Sequence, residues 1–203
     1  SSREVFINEI IYDMIAELFP NEVSNAVAQV TEKNAALKSA DIIFAISEST
    51  KKDLTCIADV DAKKIVVTPL ATSIADFPVK KEGLTDCQPF ILYVGRRSGY
   101  KNFSSLLQAF KSSRKIASEF QLVCFGGENF SSEELSVLQN LPTDGPGSVI
   151  RVAGNDSTLA QMYADAALFV CSSKYEGFGI PLLEAMTCGC PVVSTKGGSL
   201  LEV

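Results

Sequence analysis

The sequence contains no histidine, so the most common general base and the most common metal ligand of proteins are both missing. No apolar run approaches the roughly 20 residues that a membrane-spanning helix needs, and no secretory signal peptide is visible. The formal net charge is −6, which argues against nucleic acid as the main partner. The remaining composition, 46% hydrophobic and 21% charged, is typical of a soluble globular protein.

The six cysteines do not form the pattern of a zinc site or of a disulfide framework. Cys124 and Cys171 fall inside apolar runs that predict buried strands, and Cys188-Gly189-Cys190 has no second pair at zinc-like spacing. We therefore expect six reduced thiols in a cytoplasmic protein. A redox role for Cys188 and Cys190 is the alternative interpretation.

Apolar runs alternate with helical patterns along the chain, which predicts an α/β fold with a doubly wound parallel sheet. The 203 residues are enough for one large domain or for parts of two. The strand and helix patterns become weak between Ala71 and Pro89. We therefore predict one domain over 1–76, a linker over 77–89 and a second domain over 90–203. The predicted strands include 41–46, 64–68, 90–95, 121–127, 149–154, 166–171 and 191–195. The predicted helices include 22–38, 49–57, 103–117, 131–141 and 157–164. We expect residues 12–20 to form a loop.

The most informative stretch is 172–194, which follows the predicted strand 166–171. It holds a glycine-rich turn, Glu176-Gly177-Phe178-Gly179, and then Pro181 at the expected start of a helix. A strand, a glycine turn and a helix N-terminus form an anion site, because free backbone N–H groups and the positive helix end converge on the turn. Glycine also lets a ligand approach the backbone closely.

Two carboxylates belong to the same stretch, Glu176 in the turn and Glu184 about one turn inside the helix. A carboxylate accepts two hydroxyl hydrogen bonds, so this pair suits a ligand with phosphates and several hydroxyls, such as a nucleotide sugar. The plain alternative is a strand-to-helix turn that carries two solvated glutamates.

A basic segment follows the predicted strand 90–95. Between Phe90 and Ser118 the chain has six basic residues and no acidic one. Arg96 and Lys101 border the loop at the carboxyl end of that strand, where ligands bind in open α/β sheets. Arg97 is a further candidate, whereas Lys111, Arg114 and Lys115 read as a solvated helix face.

The spacing Glu176-x7-Glu184, within GFGIPLLEAMTCGCPVV, resembles the signature of family 4 retaining glycosyltransferases of the GT-B fold. Tyr12-Asp-Met-Ile, 40–54 and 65–70 resemble parts of the same family's acceptor-side domain, although Tyr12 stands where that segment usually has histidine. The resemblance spans almost the whole chain but only the middle of a full family member. It implies a nearly complete C-terminal Rossmann-like sheet plus the last units of the N-terminal one, and hence a fragment or a short chain that a partner chain completes.

The resemblance also implies roles for single residues. Gly95, Arg96 and Lys101 would hold the donor diphosphate, Glu184 the ribose hydroxyls, and Glu176 with the backbone of Gly177, Phe178, Gly179 and Ile180 the transferred sugar. The reaction would retain anomeric configuration, with the leaving phosphate helping to deprotonate the acceptor. No cofactor or metal is expected, since no histidine cluster and no Asp-x-Asp pair suited to a divalent ion is present.

The donor would be GDP-mannose or a UDP-sugar, and the acceptor a growing glycan or a lipid-linked glycan. Family members that transfer mannose look most similar around 93–103 and 124–127. A cytoplasmic protein at the inner face of the membrane is expected, with peripheral membrane contact through a preceding N-terminal part.

Three other classes of function stay open on the sequence alone. A glycosidase also needs two carboxylates, but it has no use for the basic diphosphate loop. A dinucleotide-binding oxidoreductase could use Gly177 and Gly179, but Leu182 stands in place of the third glycine. A non-catalytic nucleotide-sugar-binding subunit would keep every motif, and release of nucleoside diphosphate on addition of an acceptor separates it from an enzyme.

Overall fold

The computed structural model describes residues 6–79 and 88–203 in two compact units. The described residues up to Ala71 form the first unit together with Lys174–Gly179 and Lys196–Val203. Thr72–Ser173 and Ile180–Thr195 form the second unit. Part of the predicted linker 77–89, residues 80–87, lies outside the described residues.

The first unit contains a three-stranded parallel sheet with the strand order β1-β2-β3. Each connection between successive strands includes a helix, which is what parallel neighbours require. The strands are β1 (Asn8–Ile11), β2 (Ile42–Ala45) and β3 (Ile65–Val67), and the helices are α1 (Ile15–Leu18), α2 (Ala26–Ser39) and α3 (Glu48–Ile57).

The two faces of this sheet are buried to different extents. Ile43 and Ala45 on β2 are fully buried in a core that α2 and α3 share through Leu37 and Leu54. Side chains alternate between faces along a strand, and Ile42 on the opposite face is 37% exposed. Ile10 on β1 and Val66 on β3, which lie on either side of Phe44 in the register, are also exposed. In the described part of the chain, helices therefore bury one face of the sheet and leave an apolar second face open.

Two sequence predictions for this unit are wrong in detail. Residues 12–20 were expected to be a loop, but α1 lies within them and begins where the Asp13 carboxylate accepts a hydrogen bond from Ile15 N at 2.9 Å. The helix predicted over 22–38 begins only at Ala26, and the apolar Val27 on it is 81% exposed. Only Ala26 and Leu37 of α2 are buried. Between them Lys33 donates to Asp13 O at 2.8 Å and to Glu17 at 2.9 Å, so the inward side of this helix is partly polar.

Helix α3 has its first backbone N–H groups satisfied by two side chains. Ser47 Oγ accepts from Thr50 N at 3.0 Å, as expected of a serine N-cap. The Glu202 carboxylate accepts from Glu48 N at 2.8 Å and from Ser49 N at 2.7 Å. A negative charge at this position complements the positive end of the helix dipole.

The second unit contains a five-stranded parallel sheet with the strand order β6-β5-β4-β7-β8. This arrangement confirms the predicted doubly wound parallel sheet. The strands are β4 (Phe90–Val94), β5 (Gln121–Phe125), β6 (Val149–Val152), β7 (Leu168–Cys171) and β8 (Val192–Ser194). The helices are α4 (Phe103–Ser112), α5 (Arg114–Glu119), α6 (Ser132–Leu138), α7 (Asp156–Asp165) and α8 (Ile180–Thr187).

The central strands of the second sheet are buried on both faces. Leu92 on β4 and Leu122 on β5 are fully buried, as is Phe103 at the start of α4. On α7 and β7, the rings of Tyr163 and Phe169 meet edge to face with centroids 5.6 Å apart. The strand order reverses between β4 and β7, and ligands bind at such a reversal, outside the carboxyl ends of the strands.

The helix predicted over 103–117 is two helices. Ser113 has φ −90° and ψ 94°, so it ends α4, and its hydroxyl accepts from Ile116 N at 3.4 Å to start α5. Polar side chains cap the starts of two other helices: Ser131 and Glu134 form a capping box on α6, and Asn155 caps α7 through Thr158 N.

Candidate functional site

The loop after β4 places Gly95 and the first two cations at the strand-order reversal. Gly95 has φ +110°, a backbone conformation that favours glycine, and its N–H donates to Phe125 O at 3.0 Å. Tyr93 fixes the next residue, because its hydroxyl donates to Arg96 O at 2.5 Å. A one-turn 3₁₀ helix, Gly99–Lys101, then leads into α4.

Hydrogen bonds join this loop to the end of β7. Asn102, itself left-handed at φ 55°, donates from Nδ2 to Ser172 O at 3.2 Å. Ser172 Oγ donates in return to Lys101 O at 2.9 Å. The two loops on either side of the reversal are thus fixed to each other through backbone and side chain, which pre-organises the positions of Arg96 and Lys101.

The three cations of the loop differ in their surroundings. Arg96 is exposed, and Lys101 is half-buried with its Nζ 5.2 Å from the centroid of the Tyr100 ring. Arg97 instead has a side chain only 5% exposed, pairs with Glu134 at 2.8 Å and lies 4.6 Å from the Phe130 ring centroid. Arg97 therefore supports the packing of α6, and Arg96 and Lys101 are the cations suited to a ligand.

Helix α8 begins at Ile180, one residue earlier than Pro181, where the sequence predicted its start. It ends in a Schellman motif, in which Cys190 N donates to Ala185 O at 2.9 Å and Gly189 has φ +77°. Both ends of the helix are thereby defined by local sequence chemistry, and Glu184 lies in the second turn.

The Glu184 carboxylate already accepts two hydroxyl hydrogen bonds. Tyr163 donates to Oε2 at 3.0 Å, and Thr72 donates to Oε1 at 3.5 Å. Burial raises the pKa of Glu184 above its ordinary value, while the two hydroxyls act in the opposite direction. Since a carboxylate has roughly four lone-pair positions, about two stay available for a ligand.

The glycine turn belongs to the first unit, where it lies against the segment that follows β1. A Cβ on Gly177 would lie 2.2 Å from Tyr12 O and 2.8 Å from the Asp13 Cβ, so only glycine fits. Thr50 Oγ1 lies 3.4 Å from both Tyr12 O and Gly177 O. The similarity of residues 12–15 to an acceptor-side motif thus concerns residues that contact the turn directly.

Side chains on both sides of the turn hold it in place within the first unit. The Tyr175 hydroxyl donates a short hydrogen bond to Asp53 on α3, and burial raises the pKa of Tyr175. The backbone carbonyl of Glu176 accepts from Ser199 N at 3.1 Å and from Ser199 Oγ at 3.0 Å. Gly198 pairs with Glu176 in an isolated parallel bridge and has no room for a Cβ.

The predicted site residues therefore fall into two sets. The second unit holds Gly95, Arg96, Lys101, Ile180 and Glu184, and the first unit holds Glu176, Gly177, Phe178 and Gly179. Gly179, with φ +95°, is the last residue of the turn before the chain passes into α8 of the second unit.

An Asp-x-Asp sequence does occur at Asp59-Val60-Asp61, outside both sets. Asp61 uses its carboxylate to cap a one-turn helix by accepting from Lys63 N at 2.9 Å. Asp59 has φ +51° in the turn after α3. Within residues 6–79 and 88–203, no group of three or more acidic or cysteine side chains could hold a metal ion.

The family profile described as "Glycosyl transferases group 1" matches residues 75–203, which is more than half of the chain. The chain belongs to the group 1 glycosyl transferases. The match covers β4 to β8 and includes every predicted site residue, those of both units.

Several characterised proteins resemble this group 1 glycosyl transferase in sequence. The O-antigen chain mannosyltransferase B of Escherichia coli is 33% identical over 180 residues, which are 83% of this chain and 46% of that protein. The mannosylfructose-phosphate synthase of Agrobacterium fabrum is 34% identical over 119 residues, which are 55% of this chain and 26% of that protein. The chain thus spans at most about half the length of these relatives.

Solved structures share the fold of this group 1 glycosyl transferase. A sucrose-phosphate synthase from Thermosynechococcus elongatus matches 98% of this chain and 52% of its own, with a TM-score of 0.75 and 23% identity. The Anabaena protein HepE, solved in complex with UDP and glucose, matches 96% of this chain and 54% of its own, with a TM-score of 0.74 and 21% identity. Parallel sheets and helices of the GT-B type are therefore established for this chain.

The sequence did not single out the groups that position the predicted site of this glycosyl transferase. Ser172 and Asn102 join the loops at the reversal, and Tyr163 and Thr72 hold Glu184. A polar side chain directly after β7 was the available signal for Ser172, and an asparagine directly before the predicted helix 103–117 was the signal for Asn102. Tyr163 gives no such signal, because its contact depends on how α7 packs against α8.

None of the helices in the described part is both long and apolar enough to cross a bilayer.

Proposed function

We propose that this chain is the donor-binding part of a glycosyltransferase that moves a hexose from a nucleotide sugar to a glycan or lipid-linked acceptor. The observation that carries the proposal lies in the second unit, where Arg96 and Lys101 occupy a loop fixed at the strand-order reversal. Glu184 lies on the helix after β7, the strand across that reversal. We further propose that transfer retains anomeric configuration and needs no metal ion.

The two cations suit the chemistry of the leaving group. Breaking the bond between the anomeric carbon and a nucleoside diphosphate develops negative charge on the β-phosphate, and stabilising that charge is the main catalytic task. Arg96 supplies a planar fork of donors and Lys101 a point charge, which together match two phosphate groups. The N-terminus of α8 adds backbone N–H groups of favourable sign.

Glu184 is proposed to bind the ribose hydroxyls of the donor. Its remaining lone pairs can accept two hydroxyl protons, and its partial burial strengthens each hydrogen bond that it accepts. The role predicted for Glu176 and the backbone N–H groups of Gly177, Phe178 and Gly179, binding the transferred sugar, stays a prediction. A Glu176→Gln variant with reduced transfer but unchanged nucleoside diphosphate affinity would support it.

Mannose is the sugar we propose for the donor. Two similar proteins carry mannosyl activities in their names, the O-antigen chain mannosyltransferase B and the mannosylfructose-phosphate synthase. GDP is therefore the first nucleotide to test, and UDP, which the Anabaena structure contains, is the second. A cytoplasmic location at the inner face of a membrane stays a prediction that cell fractionation would check.

Thermal unfolding with GDP, UDP and ADP, in buffer without divalent metal, tests donor binding. A ligand that binds only the folded state must raise the Tm. We expect one nucleotide to do so, and we expect Arg96→Ala and Lys101→Ala each to lower its affinity about 10- to 100-fold, as loss of a charge-assisted hydrogen bond would.

Matched controls are available on the neighbouring helices. Lys111→Ala and Arg114→Ala remove one lysine and one arginine from exposed positions on α4 and α5, so general loss of positive charge is measured separately. Equal losses in the controls and in the two loop variants would contradict a specific diphosphate site. The absence of any Tm shift with the three nucleotides would overturn the proposal.

A non-catalytic nucleotide-sugar-binding subunit is the second candidate. Tyr12, which stands where the family usually has histidine, is exposed and its backbone carbonyl lies beside the glycine turn. Release of nucleoside diphosphate from the donor sugar when acceptor glycans are added would show an enzyme. Donor binding with no release under any acceptor would favour the subunit.

A further inference from the structure

We propose that Tyr163 and Thr72 are positioning residues that orient the Glu184 carboxylate for recognition of the ribose of the donor nucleotide. The inference rests on the proposed function, because it assigns a role to two groups that contact Glu184 rather than the ligand. All three residues belong to the second unit.

Tyr163 is held rigidly, which makes it an effective support. Its side chain is fully buried on α7, and its ring packs edge to face against Phe169 on β7. A buried hydroxyl needs a hydrogen-bond partner, and this one donates to Glu184 Oε2 at 3.0 Å. Because the ring cannot move without disturbing the core, the hydroxyl fixes the position of Oε2.

Thr72 acts on the other oxygen of the same carboxylate. The Thr72 hydroxyl oxygen accepts from Ile74 N at 3.1 Å, which orients the hydroxyl, and its proton is directed to Glu184 Oε1 at 3.5 Å. With one donor on each oxygen, the plane of the carboxylate is set. The unused lone pairs are then presented in a fixed direction, as recognition of two adjacent hydroxyls requires.

The two supports also oppose the effect of burial on the ionisation of this carboxylate. Desolvation disfavours the charged form of Glu184, and each donated hydrogen bond favours it. Removal of a donor should therefore weaken the contact to the ribose in two ways, through orientation and through the charge of the acceptor.

Discrimination between ribose and deoxyribose tests the inference, because a merely structural role would not alter it. We would measure the affinity of the 203-residue chain for the preferred nucleoside diphosphate and for its 2′-deoxy and 3′-deoxy forms. The wild type should bind the ribose form about tenfold more tightly, as loss of one hydrogen bond to a charged group predicts. Tyr163→Phe and Thr72→Val should reduce this ratio several-fold, and Glu184→Gln should reduce it further.

A double mutant separates positioning from direct contact. Tyr163→Phe added to Glu184→Gln should lower the ratio no further, since residues that act through one group are not additive. Phe169→Leu is the control for loosened packing, because it removes the ring contact and leaves both hydroxyls in place. It should lower the Tm and leave the ratio closer to that of the wild type than Tyr163→Phe does.

The outcomes distinguish this inference from the proposed function. A ribose preference that survives both Tyr163→Phe and Thr72→Val overturns the positioning role and leaves donor binding intact. Equal affinities of the wild type for ribose and deoxyribose forms overturn the role of Glu184 and with it this inference. Failure of the wild type to bind any nucleotide overturns both proposals.

Discussion

The two parallel sheets of this chain differ in strand order, and that difference decides which of them can form a ligand site. In the order β1-β2-β3 each new strand is added on the same side of the one before it, so the strand order does not reverse. The order β6-β5-β4-β7-β8 reverses between β4 and β7. At such a reversal the connections after the two neighbouring strands run in opposite directions, and a crevice opens between the loops that begin them. Arg96 and Lys101 lie on the loop after β4.

The sheets also differ in how far they are covered. Parallel strands normally have both faces buried, as Ile91 and Leu92 on β4 are. On β2 the neighbours Ile42 and Ile43 are 37% and 0% exposed. The first sheet thus obtains its stability from one face, and substitutions on its two faces should have unequal effects.

Alanine substitutions in neighbouring pairs would test this contrast, and they have the largest expected effects. Ile43→Ala, Ile91→Ala and Leu92→Ala should each lower the free energy of unfolding by about 2–5 kcal/mol, because they leave cavities in a core. Ile42→Ala on the open face should cost about 1 kcal/mol or less. Chemical denaturation measures all four, and equal losses at Ile42 and Ile43 would contradict the open face.

Glycine substitutions compare the two sets of site residues. Gly177→Ala should destabilise the first unit by about 1–3 kcal/mol, because the new methyl group overlaps Tyr12 O and the backbone must shift. In Gly95→Ala the new methyl group has open space around it, and only the φ of +110° is unfavourable. We expect this substitution to lower the free energy of unfolding by about 1–2 kcal/mol. Unfolding free energies of the two variants check this order. Gly189→Ala, also at positive φ in open space, is the control for Gly95→Ala.

Helix N-termini offer a third comparison. A carboxylate of its own unit binds the first N–H groups of α3, whereas the N-terminus of α8 is proposed to bind a diphosphate. Glu202→Ala should cost about 1 kcal/mol through loss of the hydrogen bonds to Glu48 N and Ser49 N. Glu32→Ala on an exposed position of α2 is the matched control. If the two variants unfold at the same denaturant concentration, the Glu202 contact contributes nothing to stability.

The smallest expected effect concerns the pH dependence of stability. Because burial raises the pKa of Glu184 in the folded state, ionisation of this group disfavours folding, and its contribution is lost as pH rises through the folded pKa. Glu184→Gln should therefore stabilise the protein slightly near neutral pH. The gain should vanish as pH falls below the usual glutamate pKa of about 4.3. Chemical denaturation of the wild type, Glu184→Gln and the control Glu128→Gln, near neutral pH and below the usual glutamate pKa, measures this gain in stability. A gain that does not depend on pH would contradict ionisation of Glu184 as its cause.

The parts of the fold that the sequence predicted are those with strong local signals. Strands β4 and β5 are continuous apolar runs, and the starts of α3, α6 and α7 carry serine or asparagine caps that hold in the structure. The wrong predictions have two causes. On α2 the inward side includes Lys33, which pairs with Glu17 of α1, and such a contact between distant segments leaves no apolar pattern. Ser113 ends α4 and caps α5 inside a continuous helical pattern, which gives no sign of a break.

The sequence proposes the residues of the candidate site, but it does not reveal the groups that support them. Arg96 and Arg97 are neighbours in the sequence, and the position of Glu134 on α6 shows that Arg97 is committed to packing. Tyr163 precedes Glu184 by 21 residues and meets it through the packing of two helices. Contacts of this kind leave no spacing that a single sequence could reveal.

The division of the first unit among three stretches of chain bears on how the protein is made. Thr72–Ser173 of the second unit precede the glycine turn of the first unit, and Ile180–Thr195 of the second unit lie between that turn and Lys196–Val203. N-terminal domains usually fold first during synthesis. Here Gly198, which pairs with Glu176, and Glu202, whose carboxylate caps α3, both follow the second unit in the chain. The first unit can therefore complete these contacts only after the second unit has been synthesised.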